Sequence, residues 1–268
     1  MKYLPFIFSA QLYYNESERR KAMKLKILFS LMCCISLLSF TKVFALSSDT
    51  VYVNDNGIEL TEKEFNFVND FYGEDFFENM TYDDYIWISD LDINNRNVEI
   101  KTIYNFDNGM IKSPSYSTNS KKLSISKACS SYVCTVITNL TWLTNPTVRS
   151  YDLIGVRFHN TSLNNNTVTT KVSSSKGTEY SSNNKFLANG FGTSVKLPTD
   201  ATNITVQQKL FTQPGGIVYA SYQHAVRDIS LQKSLNYTMG VGGYGNVFLF
   251  YGRVDSYHDA MGGVNIDL

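Results

Sequence analysis

The chain has 268 residues, no formal net charge at pH 7 and only 18% charged residues. The charges are unevenly placed, because residues 49–92 hold 13 acids and one base, whereas residues 93–268 hold 16 bases and nine acids. The excess of bases is spread over the longer segment and is not concentrated on one element, which argues against a nucleic-acid-binding surface. An aromatic content of 14% argues against an intrinsically disordered chain.

Residues 23–45 have the pattern of a secretory signal peptide, with two lysines, an apolar run and a small-residue cleavage site. The apolar run, residues 27–40, has 14 residues, and about 20 are needed to cross a bilayer. We therefore predict export with cleavage near Ala45, to a secreted or cell-surface location, over a retained anchor. Residues 1–22 are interpreted as an upstream extension or a mis-assigned start, with translation beginning at Met23.

Residues 46–95 are predicted to form an acidic helical cap. Thr61 and Glu64 have the spacing of a capping box, and apolar residues follow them at helical intervals. A second short helix is predicted from Thr81, which Asp84 follows three residues later. Helices this short need tertiary packing, and the basic remainder of the chain is the expected partner.

Two kinds of role are open for this acidic segment. It is interpreted either as a structural cap that covers a sheet edge, or as a propeptide, a regulatory flap or a calcium-binding patch. The EF-hand pattern of spaced acids, a glycine and a distal glutamate is absent from the sequence.

Residues 96–268 are predicted to be mainly β, because alternating segments recur at about ten-residue spacing between Gly or Pro turns. The predicted strands are Val98–Tyr104, a strand from Leu123, Val133–Leu143, Arg149–Phe158, Thr193–Leu197, Ile204–Phe211, Ile217–Tyr222, Val226–Leu231, Tyr237–Val241, Val247–Tyr251 and Gly263–Leu268. A hairpin turn is predicted at Asp107–Gly109. The predicted fold class is an antiparallel β-sandwich with a short acidic α-helical N-terminal segment.

Cys129 and Cys134 are the only cysteines outside the predicted leader. In an exported protein they are expected to form a disulfide that pins a turn in the centre of the fold. A metal pair would need further ligands, and His159, His224 and His258 are scattered along the chain. We predict no metal site and no cofactor.

Four aromatic residues are candidates for a ligand platform: Trp142, Tyr151, Tyr244 and Tyr257. The alternative for Trp142 is core packing beside the disulfide, which is the more common role of a tryptophan in that position. Asp152, on the strand after Trp142, is expected to pair with Arg149 or Arg157.

Two further hypotheses concern chemistry and membranes. His258 and Asp259, with Asp255 nearby, are the only cluster of a histidine with acids, and a hydrolase would use them. Residues 160–185 are rich in Ser and Thr and are interpreted as one exposed hairpin. Pore-forming β-toxins insert segments of this composition, but a barrel strand needs alternating apolar residues, which are scarce here.

Three stretches carry a resemblance to a family: NGIELTEKEFNFVNDFYGEDFFENMTYDDY, KKLSISKACSSYVCTV and NPTVRSYDLIG. With the leader, they resemble uncharacterised secreted proteins of low-GC Gram-positive bacteria over most of the exported chain. That group has no assigned activity, so the resemblance implies export and gives no residue a role.

The sequence therefore predicts an exported, non-enzymatic β-sandwich that binds a glycan, a protein or the cell envelope at or beyond the cell surface. The expected partner is an extracellular ligand, with no nucleic acid, and membrane contact is not favoured. A small β-pore-forming or membrane-active protein is the first alternative, and a hydrolase that uses His258 and the neighbouring acids is the second.

Overall fold

The computed structural model describes residues 51–104, 120–187, 189–235, 257–259 and 263–268. Over these residues the helices are α1 Glu62–Phe71, α2 Phe76–Asn79, α3 Tyr82–Ser89 and α4 Leu231–Ser234. The strands are β1 Val51–Val53, β2 Glu59–Thr61, β3 Val98–Tyr104, β4 Lys121–Cys129, β5 Cys134–Trp142, β6 Tyr151–His159, β7 Leu163–Ser174, β8 Gly177–Ser181, β9 Asn184–Leu187, β10 Gly190–Lys196, β11 Thr205–Thr212, β12 Ile217–Gln223 and β13 Gly263–Asp267.

Two antiparallel sheets contain all of the described strands except β1 and β2. One has six strands in the order β3-β4-β5-β11-β7-β8, and the other has five in the order β13-β12-β6-β10-β9. Alternate side chains of both sheets, among them Leu123 and Leu140 from the first and Ile154 and Phe191 from the second, belong to one buried cluster. The prediction of a mainly β chain with antiparallel sheets is confirmed.

The β4–β5 hairpin lies within the six-stranded sheet and ends in the predicted disulfide. Cys129 and Cys134 are opposite each other in the ladder, and their sulfurs are bonded. The backbone N–H of Ser130 donates to the carbonyl of Val133 at 2.8 Å, which closes the turn. The bridge therefore pins the tip of a hairpin, where Tyr132 is 87% exposed.

Reduction of this disulfide is expected to lower the free energy of unfolding by about 2 kcal/mol, because the ring that it closes is small. Urea unfolding of the oxidised and the phosphine-reduced protein measures the difference. Tyr132→Ala, on the same turn, is the control and is expected to change the free energy by less than about 0.5 kcal/mol. Equal stability of the two redox forms would contradict the prediction.

Residues 51–93, which hold β1, β2 and α1 to α3, are called the helical cap below. The predicted capping box at Thr61 and the predicted helix start at Thr81 are both present, and Thr81 also forms a capping box. The side chain of Glu64 accepts from the backbone N–H of Thr61 at 2.9 Å, and the Thr61 hydroxyl accepts from the N–H of Glu64 at 3.3 Å. Asp84 and Thr81 repeat the arrangement at the start of α3. Each box satisfies N–H groups that a helix start leaves without a helical partner.

The helical cap packs on the six-stranded sheet, on the face opposite to the shared core. A second buried cluster joins Phe67, Phe71 and Trp87 of the cap to Ala128 of β4 and Ile137 of β5. The sheet is therefore covered on both faces. A buried apolar interface of this kind supports the interpretation of the acidic segment as a structural cap, since its removal would expose the cluster to water.

One predicted strand, Val226–Leu231, is wrong. Ala225 forms a single bridge with His258, and the chain then turns into α4. Within this segment the N–H of Ile229 donates to a side chain and not to a neighbouring strand. Its acceptor is the hydroxyl of Ser150, at 2.8 Å. Strand β9 was not predicted. The predicted turn Asp107–Gly109 and the predicted strands Tyr237–Val241 and Val247–Tyr251 lie outside the described residues.

The polar segment 160–185 forms β7 and β8, which pair around the turn where Ser174 faces Gly177. The hairpin is as predicted, but its exposure is not, because Lys171 and Val172 are buried. β7 lies between β11 and β8, so one of its faces contacts the shared core and the other contacts the cap.

A pore-forming conversion would have to withdraw β7 from between two strands and separate Lys171 from its partners in the cap.

In the described part of the chain, none of the helices has the length and apolar character required to cross a membrane.

Candidate ligand-binding groove

A cavity of about 450 Å³ lies where the helical cap meets the six-stranded sheet, and we call it the cap groove. Its walls come from the turn after α1 and the start of α3 (residues 72–76, 79, 81 and 84), the end of β5 (141–143), the β7–β8 turn (173–175, 177 and 178) and the start of β11 (203 and 205). The groove is therefore assembled from four segments that are far apart in the sequence.

The wall on the cap side depends on how α1 ends. Tyr72 is the C-cap residue, and its N–H donates to the carbonyl of Val68 at 2.9 Å. Gly73 then adopts a φ of +127°, which favours glycine and turns the chain toward α2. The hydroxyl of Thr141 donates to the carbonyl of Tyr72 at 3.1 Å and ties this turn to β5.

Aromatic rings form part of the groove. Tyr72 and Phe76 are stacked, with ring centroids 4.1 Å apart and an interplanar angle of 10°. Phe76 is half-buried, whereas Tyr72 is buried and its hydroxyl has no hydrogen-bond partner among the described residues. Burial, with a smaller contribution from Asp84, raises the pKa of Tyr72 well above its usual value, so the hydroxyl stays protonated.

The carboxylates of the groove are of two kinds. Asp84 is buried and neutralised by Lys171, whose Nζ lies 2.7 Å from its Oδ1. Glu74 and Asp75 are exposed, and no ion pair to either is found among the described residues. No lysine or arginine contributes to the described lining. The groove therefore presents acids, aromatic rings and hydroxyl groups, and its net charge is negative.

The opposite wall is made of hydroxyl groups on the β7–β8 turn. Ser173 and Thr178 share a hydrogen bond of 3.0 Å across the hairpin, and the hydroxyl of Ser175 accepts from the N–H of Thr202 at 2.9 Å. Asn203, with a φ of +52°, exposes its side chain beside them. Polar groups beside an aromatic surface in a concave site are typical of sites that orient small ligands by hydrogen bonds.

An ion cluster centred on the buried side chains of Lys171 and Asp84 fixes α3 to the sheet beside the groove. Lys171 Nζ lies 2.9 Å from Asp83 Oδ2 and 4.6 Å from the centre of the Trp87 ring. The hydroxyl of Tyr180 donates to Asp83 Oδ1 at 2.6 Å. Partial burial and this bond to a carboxylate raise the pKa of Tyr180 to about 12. Lys209 makes a further ion pair with Asp90.

A second polar cluster, which we call the interior network, lies around the fully buried side chain of Asp152. Asp152 accepts from the N–H of Ala225 at 2.8 Å, from Nδ1 of His224 at 2.9 Å and from the hydroxyl of Tyr222. Nε1 of Trp142 donates to the same hydroxyl at 3.3 Å. Burial, then the charge and hydrogen bond of Asp152, raise the pKa of Tyr222 well above its usual value.

The prediction that Asp152 pairs with an arginine is wrong. Arg149 donates to the backbone carbonyls of Pro198 and Ala201 at 3.2 and 3.0 Å. Arg157 lies over the ring of Tyr219, 5.6 Å from its centre.

His258 and Asp259, the residues of the hydrolase hypothesis, belong to the same interior network. They are 5% and 7% exposed. Asp259 pairs with Lys121 and accepts from the N–H of His224 at 2.7 Å, and Nε2 of His258 contacts the carbonyl of Tyr151 at 3.1 Å. Burial lowers the pKa of His258 below its usual value. These intramolecular partners favour a structural role, and Asp255 lies outside the described residues.

The four aromatic residues predicted as a ligand platform do not form one surface in the described part of the chain. Trp142 lines the cap groove, but it is only 5% exposed and belongs to the shared core. Tyr151 and Tyr257 pack together against a third cluster, which contains Leu153. Tyr244 lies outside the described residues.

The sequence gives no indication that the other groove residues belong to a site. In the sequence, Glu74, Asp75 and Phe76 carry no signal beyond acidity and apolar spacing, and the residues of the hydroxyl wall predict only an exposed hairpin. Among the described residues, no three histidine, cysteine or acidic side chains come together in a way that could hold a metal ion.

Comparison with known proteins gives no family. No family model matches the chain, and no curated protein matches it. Two solved structures are similar over part of the chain, each with a TM-score of 0.28. One, the KRT10-binding region domain of the pneumococcal serine-rich repeat protein PsrP, is 9% identical over 48% of this chain and 86% of its own. The other, AvmM, which catalyses macrocyclization in alchivemycin A biosynthesis, is 10% identical over 65% of this chain and 89% of its own.

Proposed function

We propose that the chain is an exported, non-enzymatic β-sandwich protein that binds a glycan in the cap groove, at or beyond the cell surface. The two sheets that share a core are the two layers of the sandwich. The leader at residues 23–45 and the disulfide are both in keeping with export.

The observation that carries the proposal is the composition of the cap groove. The half-buried ring of Phe76, which is stacked on the buried ring of Tyr72, offers an apolar surface on the cap side of the groove. Hydroxyl groups of Ser174 and Thr178 and the exposed side chain of Asn203 offer hydrogen bonds on the other side. A sugar has one apolar face and a rim of hydroxyl groups, so each part of it meets a matching wall.

A second observation concerns the rigidity of the groove. Its cap wall is fixed by the capping box at Thr81, by the bond from Thr141 and by the buried pair of Lys171 with Asp84. A preformed site loses little conformational entropy when a ligand binds. The groove is therefore suited to reversible binding by a weakly hydrophobic, hydroxyl-rich ligand.

A glycan array followed by titration calorimetry tests the proposal. Asn79→Trp places a large ring in the groove and is expected to weaken binding of the array hit at least tenfold. Ser131→Trp, on the exposed tip of the β4–β5 hairpin, is the matched control and is expected to bind as the wild type does. Fluorescence of Trp142, which lines the groove, gives an independent reading of occupancy.

Two results would overturn the proposal. One is an array without any glycan bound above background by the correctly folded protein. The other is a glycan whose affinity is the same for Asn79→Trp and the wild type, since that ligand would bind elsewhere.

A further inference from the structure

We infer that the cap groove selects glycans that carry a free, positively charged amino group, such as oligosaccharides of unacetylated glucosamine. This inference rests on the proposed glycan-binding function and adds the chemical class of the ligand. It depends on how the charges of the helical cap are distributed between the sheet and the groove.

The acids that face the sheet have cationic partners on it. Asp83 and Asp84 pair with Lys171, and Asp90 pairs with Lys209. The acids of the groove rim, Glu74 and Asp75, are exposed and have no such partner among the described residues. The sheet therefore neutralises one side of the cap and leaves a negative charge at the mouth of the groove.

The local geometry of Asp75 also leaves its carboxylate available to a ligand. It occupies the N-cap position of α2, where an aspartate commonly accepts a hydrogen bond from a backbone N–H, but its side chain makes no capping bond. Its carboxylate can therefore bind a ligand without breaking a hydrogen bond or ion pair to any of the described residues. Glu74 is the adjacent residue, so two carboxylates lie on one edge of the cavity.

The remaining walls specify a sugar and not a simple cation. A cation alone would need the carboxylates only, whereas the groove also holds the stacked ring of Phe76 and the hydroxyl groups of Ser174 and Thr178. A cavity lined by one sign of charge raises the local concentration of the opposite charge, and the apolar and polar walls then orient what enters. An amino sugar satisfies all three walls at once.

The test compares three tetrasaccharides by calorimetry at mildly acidic pH: the glucosamine tetramer, the N-acetylglucosamine tetramer and cellotetraose. The glucosamine tetramer is expected to bind at least tenfold more tightly than the other two. The double variant E74Q/D75N is expected to remove that preference and to leave the affinities of the neutral sugars within twofold. E179Q, which removes an exposed acid from β8, is the matched control and should keep the preference.

The possible results separate the two proposals. Equal binding of the acetylated and unacetylated tetramers, or an array that yields only neutral or acidic glycans, overturns the inference and leaves glycan binding in place. Failure of every glycan overturns both. Tetralysine serves as a probe of charge alone, and binding as tight as that of the glucosamine tetramer would show that the sugar is not recognised and would overturn the inference.

Discussion

Lys171→Met is expected to lower the free energy of unfolding by about 3–5 kcal/mol. The side chain of Lys171 is fully buried, and it neutralises Asp84, which is 3% exposed. Methionine fills a similar volume but carries no charge, so Asp84 would be left in the interior without its cationic partner. The cost of an uncompensated buried charge exceeds the cost of the lost packing.

Urea unfolding measures the loss, and two further variants identify its cause. Lys176→Met, in the exposed β7–β8 turn, should change the free energy by less than about 0.5 kcal/mol. The double variant K171M/D84N removes both charges and keeps a side-chain oxygen for the capping bond of Thr81. It should be less destabilised than the sum of the single variants, by about 1–3 kcal/mol. Simple additivity would show that Lys171 acts through packing alone.

Local features of the fold could be predicted from the sequence because neighbouring residues determine them. The capping boxes at Thr61 and Thr81 need only residues that lie three apart. The disulfide needs two cysteines at the ends of adjacent strands, and the start of β3 follows from the alternation of apolar and charged residues over positions 98–101. In each case the residues that determine the feature lie within about ten positions of one another in the sequence.

The sites could not be predicted, because tertiary packing brings their parts together. Lys171 lies in a stretch of Ser, Thr and Asn that indicates a solvated hairpin, and only the position of α3 buries it. Its partner Asp84 is 87 residues away. Asp152 has arginines close by in sequence, but it faces the end of β12, where His224 lies 72 residues away. The spacing of charged residues within one strand therefore does not indicate which distant residues they will contact.

The groove had the same limitation. Tyr72 was identified only as part of an apolar stripe, which is correct for its ring, but Glu74 and Asp75 were indistinguishable from the other acids of the cap. What separates them from Asp83, Asp84 and Asp90 is that Lys171 and Lys209 lie opposite those three acids, and this depends on the order of the strands in the sheet, which no local pattern contains.

Asp152→Ala is the second substitution with a large expected effect, about 3–5 kcal/mol of the free energy of unfolding. The fully buried carboxylate accepts from the N–H of Ala225, from Nδ1 of His224 and from the hydroxyl of Tyr222. Alanine would leave all three donors buried without an acceptor, and each unsatisfied donor costs about 1–3 kcal/mol. Asp55→Ala, at an exposed position in the cap, is the control and should have little effect.

Tyr222→Phe tests how much of the effect of Asp152→Ala comes from the hydrogen bond between Asp152 and the hydroxyl of Tyr222. This change removes one of the three donors and by itself should cost about 1 kcal/mol. In the double variant D152A/Y222F the hydroxyl can no longer be left unsatisfied, so the loss should be smaller than the sum of the two single losses. Because Trp142 donates to the same hydroxyl, its fluorescence should shift in both single variants. Additive losses, or an unchanged Trp142 signal, would mean that Asp152 does not hold β6, β12 and the Trp142 side chain in one hydrogen-bonded network.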